Sequence, residues 1–149
     1  MPFYIFLIYY INMENQQAER ASELLYELIV AIQDNNYKKV QAKIAAIKEM
    51  GGDINVVDDN VGRTPLTMAI EYSRDARGQE RGTKIIEELI HAGANVNMPD
   101  ETEQSPLLHA IYMNNADVAQ VLVDHGANYD KSTIHEARKH GAREIVDIM

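Results

Sequence analysis

The sequence predicts an all-α protein built as a solenoid of about four stacked helix–turn–helix units. Residues 64–69 (TPLTMA) and 105–110 (SPLLHA) repeat one helix start, in which Thr or Ser can cap the first turn and Pro takes a position that needs no N–H donor. Each start is followed by an apolar helical run that ends in Gly-Ala-Asn, at Gly93 and at Gly126. These two glycines are 33 residues apart, a length typical of helix–turn–helix repeats.

Four motifs, TPLTMA, HAGANVN, SPLLHA and DHGANYD, follow one another in this order. Through them, the chain from about Glu23 to its end resembles the ankyrin-repeat family. The resemblance implies an interaction domain of stacked helix pairs, with short β-turn fingers between repeats. On this basis the chain is divided into five segments. They are an apolar leader at 1–13, a degenerate N-terminal capping repeat at 14–57, full repeats at 58–98 and 99–130, and a truncated C-terminal capping repeat at 131–149.

An uncharged apolar run occupies residues 2–11. It is too short to span a bilayer, which takes about 20 residues, and it lacks the basic start and cleavage site of a secretory signal. Three interpretations are open: an extra segment that packs on the first repeat, a degenerate export or membrane-association signal, or sequence upstream of a true start at Met13. The abundance of Phe, Tyr, Ile and Asn, which A/T-rich codons specify, favours the third.

The capping repeat is predicted to consist of two helices. Residues 14–34 form the first, because their apolar residues recur at helical spacing. A turn at 34–36 separates it from the second, and residues 51–55 (GGDIN) then correspond to residues 93–97 (GANVN). The residues expected to face inward are Leu24, Leu25, Leu28, Ile29, Ala31 and Ile32 on the first helix, and Val40, Ile44 and Ile47 on the second.

The first full repeat carries about eight more residues between its paired helices than the second, and they fall within 73–83. Four basic residues, Arg74, Arg77, Arg81 and Lys84, lie in or beside this stretch. It is predicted either as a solvated loop with a helix extended by one turn, or as a contact loop, since long loops in compact domains are often functional.

The remaining connections are less regular. Fingers are expected at 58–63 and 98–104, and Glu103 stands where the earlier finger has Gly62, which predicts a looser turn. In the last unit, a segment starting at Thr133 replaces the capping motif without a proline, and the chain stops at Met149 before a Gly-Ala ending. This end is interpreted either as a shortened C-terminal cap or as the edge of a fragment from a longer array.

The composition narrows the classes of function. A net charge of −9 argues against nonspecific binding to nucleic acid or to anionic membranes, both of which need excess Lys and Arg, and membrane association is not expected. The absence of cysteine excludes disulfides and thiolate chemistry and fits a reducing compartment. Phosphate-loop spacings do not occur, and residues 53–58 begin like a calcium loop but place Val57 and Asp58 where a ligand and the turn glycine belong.

Catalysis is not indicated by any pattern of Ser, Thr, His and carboxylate residues, so the chain is predicted not to be an enzyme and to need no cofactor or metal. His91 and His125 are expected to lie beside helix C-terminal carbonyls. Adjacent carboxylates such as Asp100 and Glu101 are expected to be solvated.

His135 is expected to make the local hydrogen bond that the resemblance assigns to the histidine of Thr-Pro-Leu-His. In the two full repeats, Thr67 and Leu108 occupy the position of this histidine, which predicts an incomplete hydrogen-bond network in these repeats.

The resemblance places a partner-binding surface on the fingers and on the first helix of each pair. Tyr72 and Tyr112 are expected to stack in adjacent repeats and to anchor an interface together with Met113, as aromatic and Met residues often do. The alternative is that the tyrosines pack repeat against repeat with only the hydroxyl exposed. The candidate binding residues are Asp58, Asp59, Asn60, Arg63, Tyr72, Glu101, Glu103, Gln104, Tyr112 and Met113.

These observations predict a non-enzymatic adaptor or scaffold that binds a protein partner, and neither nucleic acid nor a small-molecule substrate, as a cytoplasmic monomer. The acidic finger tips predict a partner with a basic or amide-rich edge. The alternative is the targeting segment of a longer enzyme, or of a secreted effector that an intracellular bacterium or virus delivers into a host cell. The nucleotide sequence downstream would separate the two.

Overall fold

The structure, a computed structural model, describes residues 2–59, 61–73 and 79–149. Within these ranges the regular secondary structure is helical, apart from one isolated antiparallel bridge between Asp58 and Arg63. The all-α solenoid predicted from the sequence is confirmed. The helices are α1 (Phe3–Gln33), α2 (Tyr37–Glu49), α3 (Pro65–Tyr72), α4 (Gln79–His91), α5 (Pro106–Tyr112), α6 (Ala116–Asp124), α7 (Lys131–Lys139) and α8 (Arg143–Ile148).

The helices form two rows. In the first row α1, α3, α5 and α7 pack in series, and in the second row α2, α4, α6 and α8 do the same. Each first-row helix also packs against the second-row helix that follows it in the chain. Helix pairs therefore contact mainly their neighbours, which spreads the hydrophobic core along the solenoid.

Side-chain caps start the helices of the full repeats where the sequence predicts. The hydroxyls of Thr64 and Ser105 accept hydrogen bonds from first-turn amides of α3 and α5, and a proline follows each of them. Asn36 and Asn115 cap the second-row helices α2 and α6 in the same manner. A cap of this kind stabilises a helix by about 1 kcal/mol.

The last module departs from the predicted register. The carboxylate of Asp130 accepts a hydrogen bond from the amide of Thr133 at 2.9 Å, and the Thr133 hydroxyl accepts one from the amide of Asp130 at 3.3 Å. This reciprocal capping box starts α7 at Lys131. The prediction that Thr133 itself opens the helix is wrong, because an aspartate three residues earlier supplies the cap.

Asparagine side chains hold the loops that follow the second-row helices. Nδ2 of Asn55 donates to the carbonyl of Gly93 at 3.0 Å, and its Oδ1 accepts from the amide of Asn95 at 2.6 Å. One repeat later, Asn97 makes the same two bonds to the next loop, at 3.1 and 2.7 Å. The predicted correspondence of GGDIN with GANVN therefore has a physical basis in two equivalent side-chain bridges.

The core predicted for the capping repeat is confirmed. Of the nine residues expected to face inward, Leu24, Leu28, Ile29, Ala31, Ile32, Val40, Ile44 and Ile47 are buried and Leu25 is half-buried. The core continues through the full repeats, where Leu66, Ile70, Ile86, Leu89, Leu107, Ile111 and Leu122 are fully buried.

Helix α1 is longer than predicted. It begins at Phe3 rather than at residue 14 and continues to Gln33. The side chains of residues 2–20 are all exposed, and the buried residues of α1 begin at Leu24. The interpretation that the apolar leader packs on the first repeat is therefore wrong, because the leader extends the helix beyond the packed core.

The helix extension predicted for the first full repeat is confirmed. Counting back from Gly93 and Gly126, Thr83 corresponds to Ala116, the first residue of α6, whereas α4 already begins at Gln79. The predicted loop falls on residues 74–78, which include Arg74 and Arg77 and lie outside the described residues. The side chain of Arg81 is not described either.

Gly82 lets the end of α3 approach α4. A Cβ atom at this position would lie 2.8 Å from the Cα atom of Ser73, which is closer than two carbon atoms pack. Only a residue without a side chain fits between the two helices at this point.

Candidate protein-binding surface

The first finger is a tight turn that leads into α3. The amide of Asp58 donates to the carbonyl of Arg63 at 3.0 Å, and the amide of Gly62 donates to the carbonyl of Asp58 at 2.7 Å. The Asp58 carboxylate accepts a further hydrogen bond from the amide of Val61 at 3.0 Å. Gly62 has a φ of 68°, a conformation that glycine adopts without steric cost.

The second finger adopts a similar turn, and its predicted looseness is wrong. The amide of Asp100 donates to the carbonyl of Gln104 at 3.0 Å, and Glu103 takes a φ of 61° in place of the glycine. A left-handed residue with a side chain costs roughly 1–2 kcal/mol, so the surrounding contacts must hold the turn. One of them joins the two fingers, since the amide of Glu101 donates to the carbonyl of Gly62 at 3.0 Å.

Asp100 supplies the contacts that hold this turn. Its Oδ1 accepts hydrogen bonds from the amide and hydroxyl of Thr102, at 2.8 and 2.7 Å, and from the amide of Gln104 at 3.0 Å. The residue is only 6% exposed. The expectation that this carboxylate is solvated is therefore wrong, because the turn folds around it.

A chain of polar side chains connects the two fingers through the first-row helices. Oδ2 of Asp100 lies 2.8 Å from Nε2 of His109 on α5, and because a carboxylate only accepts, this ring nitrogen donates. Nδ1 of His109 lies 3.4 Å from Glu71 on α3, and Glu71 lies 2.8 Å from Nε of Arg63 in the first finger. The Arg63 N–H is not aimed at the carboxylate, so this last contact is an ion pair rather than a hydrogen bond.

This chain of four residues, Arg63, Glu71, His109 and Asp100, is called the finger network below. It alternates nitrogen-bearing side chains with carboxylates, and its two central members sit on adjacent first-row helices. The fingers are therefore anchored to each other and to the helices beneath them.

Hydrogen bonding decides the ionisation of Asp100. Burial by itself raises the pKa of this carboxyl and is the largest single influence, but the donors of Thr102, Gln104 and His109 together outweigh it. The pKa of Asp100 falls from its ordinary 3.8 to about 2. The carboxylate thus stays charged throughout the physiological range.

Acid is expected to destabilise the domain through this group. Because the pKa of Asp100 is lower in the folded chain, its stabilisation is complete above about pH 4 and is lost as the pH falls toward about 2, at a cost of about 2 kcal/mol. Urea denaturation of the wild type and of Asp100→Asn at a series of pH values measures this. The variant should lose correspondingly less stability over this window, and parallel profiles would contradict the assignment.

The structure places the described candidate residues at two levels, near the two ends of the first-row helices α3 and α5. Asp59, Glu101 and Glu103 are exposed on the fingers, at the N-terminal ends of α3 and α5, and Tyr72 and Tyr112 are exposed at the C-terminal ends of these helices. The two levels are separated by the helix length, about 10 Å. Four candidates are only half-buried, namely Asp58, Arg63, Gln104 and Met113, and Asn60 lies outside the described residues.

The predicted stacking of the two tyrosines is wrong in register. Counted from Pro65 and Pro106, Tyr112 corresponds to Glu71 and not to Tyr72. Tyr112 instead packs edge-on against the ring of His140, with 4.9 Å between ring centroids. The Tyr72 hydroxyl accepts a hydrogen bond from Nε2 of Gln33 at 3.4 Å. Each tyrosine therefore contacts a neighbouring repeat, yet remains 44% (Tyr72) or 39% (Tyr112) exposed.

The structure confirms the expectation for His125 and corrects the one for His135. His125 contacts a helix carbonyl as predicted, with Nδ1 2.8 Å from the oxygen of Val121, and its ring meets that of His91 edge-on. His135 is exposed, and the histidine that makes a buried hydrogen bond is His109.

The hydrogen-bond network expected to be incomplete in both full repeats is present in altered form in the first of them. In the first full repeat, the hydroxyls of Thr64 and Thr67 lie 2.9 Å apart and are buried, so Thr67 makes the local bond that was thought missing there.

Sequence reasoning missed Glu71 and His109. A usable signal existed for His109, because its counterpart in the preceding repeat is Met68, which is 1% exposed. A polar residue at a position that is otherwise apolar and buried requires a partner, and the acidic finger next to it contains one.

Comparison with known proteins agrees with this architecture. The family model described as ankyrin repeats (3 copies) matches residues 28–132 and 76–149. A Notch 1 homolog from Xenopus laevis is 36% identical over 110 residues, which cover 55% of this chain and 4% of that protein. Human Notch 1 is 33% identical over 116 residues, with 59% and 4% covered.

A viral relative is similar over a shorter stretch. The putative ankyrin repeat protein L91 of Acanthamoeba polyphaga mimivirus is 42% identical over 65 residues, which cover 42% of this chain and 10% of that protein. The chain thus spans a small part of the length of the relatives it matches. The repeated helix pairs, the fingers and the family model together show that this chain belongs to the ankyrin-repeat family.

Proposed function

We propose that this chain is a non-enzymatic adaptor that binds a protein partner through its fingers and first-row helices. Ankyrin repeats are generally protein–protein interaction modules, and in this chain we assign the binding to one specific surface. The binding face consists of Asp59, Glu101 and Glu103 on the fingers and Tyr72 and Tyr112 on the helices. The observation that carries this proposal is the finger network, which fixes these exposed side chains on a common base.

Rigidity of the fingers favours binding. Loops that must be ordered on association cost affinity, whereas a surface held in its bound shape does not. The contact of Glu101 with Gly62 and the burial of Asp100 hold both turns before any partner arrives. The strained φ of Glu103 indicates how strongly these contacts determine the turn.

The partner is expected to combine a basic segment with an apolar anchor. Three exposed carboxylates at the finger level attract Lys or Arg and accelerate encounter in a salt-dependent way. The two tyrosines offer half-exposed rings about one helix length away, and tyrosine is a frequent interface anchor. A partner that reaches both levels must span at least about 10 Å along α3 or α5.

Charge reversal at the fingers is expected to weaken partner binding. Affinity capture from lysate with the full chain, followed by mass spectrometry, identifies the partner, and titration with the purified partner then measures the affinity. The triple variant Asp59→Lys, Glu101→Lys and Glu103→Lys should bind at least tenfold more weakly, with a reduced dependence on salt.

A second triple variant is the matched control. Glu49, Asp124 and Asp147 are exposed acidic residues on the second-row helices, and their replacement by Lys changes the net charge equally on another surface. This control should bind within twofold of the wild type, and circular dichroism should show both variants folded. Equal loss in both triples would reject the binding face, and the absence of any captured partner would count against the adaptor function itself.

A targeting role within a longer protein is the second candidate. It is supported by the relatives, of which the matching segments make up only 4% to 10%. We further propose a monomeric protein that acts in the cytoplasm, either of the cell that makes it or of a host cell. Reading the nucleotide sequence downstream of Met149 separates an adaptor from the targeting segment of a larger enzyme or effector.

A further inference from the structure

The exposed N-terminal part of α1 has no counterpart in the other helices that the structure describes. Ten large apolar side chains lie between residues 3 and 13, each 41% to 79% exposed. Together they expose on the order of 1,000 Å², whereas the largest apolar patch of a typical monomer covers about 300–600 Å². This segment is called the leader helix below. Its side chains are Phe3, Tyr4, Ile5, Phe6, Leu7, Ile8, Tyr9, Tyr10, Ile11 and Met13.

The apolar surface surrounds the leader helix on every side. Residues 3–11 are consecutive apolar residues, and at 3.6 residues per turn they cover the whole circumference. A helix that is apolar all round is typical of a protein interior or of a membrane, not of a surface helix with one buried stripe.

A second copy of the chain would cover too little of this surface. A partner helix contacts one stripe, about half of the exposed area, so each chain would bury about 500 Å², against about 800 Å² per partner in a standard stable interface. The apolar segment is also shorter than the three to four heptads that mark a coiled coil. Hydrocarbon, in contrast, covers all sides at once.

The length of the leader helix and the charges near it limit how it can enter a bilayer and which lipids suit it. Residues 3–11 extend about 14 Å, half of the roughly 30 Å hydrocarbon thickness, and among the described residues no helix is both long and apolar enough to cross a membrane. The first charged side chain is that of Glu14, about one helical turn after Tyr10. The nearest cation, Arg20, is paired with Glu23, and the chain carries a net charge of −9.

We propose that the leader helix inserts into one leaflet of a zwitterionic bilayer and tethers the repeats to that surface. Glu14 and the Tyr10 hydroxyl lie at the polar boundary. The carbonyl of Pro2 accepts hydrogen bonds from the amides of Ile5 and Phe6, which reduces the number of free donors that enter the lipid. The charge argument against membranes applies to anionic surfaces and the length argument to spanning helices, and this proposal involves neither.

Vesicle flotation with the full chain tests the insertion. Most of the chain should float with phosphatidylcholine vesicles, and replacing a third of the lipid by phosphatidylserine should lower the bound fraction at least threefold at low salt. The variant Ile5→Glu with Ile8→Glu should bind at least tenfold less. The matched control, Asn15→Glu with Gln17→Glu, adds the same charge to the exposed middle of the same helix and should float like the wild type.

A fluorescent probe locates the segment within the lipid. The chain contains no tryptophan, so Phe6→Trp reports on the leader helix alone, and its emission should shift to the blue and be quenched by brominated acyl chains. Tyr26→Trp, on the capping repeat, should do neither. A chain that stays at the bottom of the gradient as an aggregate would overturn the proposal. So would a discrete oligomer that does not float and that Ile5→Glu with Ile8→Glu dissociates, which would assign the surface to a second copy.

Discussion

Replacing Asp100 by alanine is expected to lower the free energy of unfolding by about 3 kcal/mol at neutral pH, because it leaves buried hydrogen-bond donors without an acceptor. The substitution leaves the Nε2 donor of His109 and the donors of Thr102 and Gln104 without their acceptor. It also removes the group that holds the left-handed turn at Glu103. Urea denaturation at pH 7, followed by circular dichroism, measures the change.

Asp59→Ala is the control, because this aspartate is exposed on the neighbouring finger and its loss should change stability by less than about 0.5 kcal/mol. A double-mutant cycle with His109→Ala isolates the contact between Asp100 and His109, with an expected coupling of about 1–3 kcal/mol. Additive effects of the two substitutions would show that the finger network does not act as a unit.

Replacing Ile111 by alanine is expected to cost about 2–5 kcal/mol, the range for truncating a fully buried isoleucine. Ile111 is 0% exposed and lies on α5, which packs against α3, α6 and α7. Denaturation by urea measures the loss. The control is Val61→Ala, since Val61 is 40% exposed on the first finger and should matter little.

The position of Ile111 adds a second, local expectation. Because each module of a solenoid is held by its neighbours, weakening α5 should loosen the C-terminal module before the rest. Hydrogen exchange should then accelerate in α7 and α8 more than in α1 and α2. Uniform acceleration along the chain would indicate that the modules unfold as one unit, which contradicts this expectation.

Local sequence patterns were sufficient for the architecture. The Ser or Thr caps at Thr64 and Ser105 and the glycines at Gly93 and Gly126 act through bonds within a few residues, so their positions predict helix ends directly. The inward residues of α1 and α2 followed from helical spacing alone, because a helix buries one stripe. These parts of the prediction needed no knowledge of neighbouring repeats.

The failed predictions have three different causes. Asp100 was expected to be solvated because its neighbours are polar, and it is buried because a finger turn and His109 enclose it. The C-terminal module changed register because Asp130, outside the expected motif, offered a better cap with Thr133. Tyr72 and Tyr112 were expected at equivalent repeat positions, but they differ by one position. On a helix, one position rotates a side chain by about 100°.

The amino-acid sequence by itself determined the repeated helix pairs, their caps and their buried stripes, because these depend on periodicity and on hydrogen bonds within one turn. Only the tertiary structure decided which charges are buried between the fingers, which loops the asparagines bridge and where the packed part of α1 begins. Those features depend on residues that are far apart in the chain and come into contact when the modules stack. The energy of such a contact depends on both residues and cannot be read from the local sequence around either one.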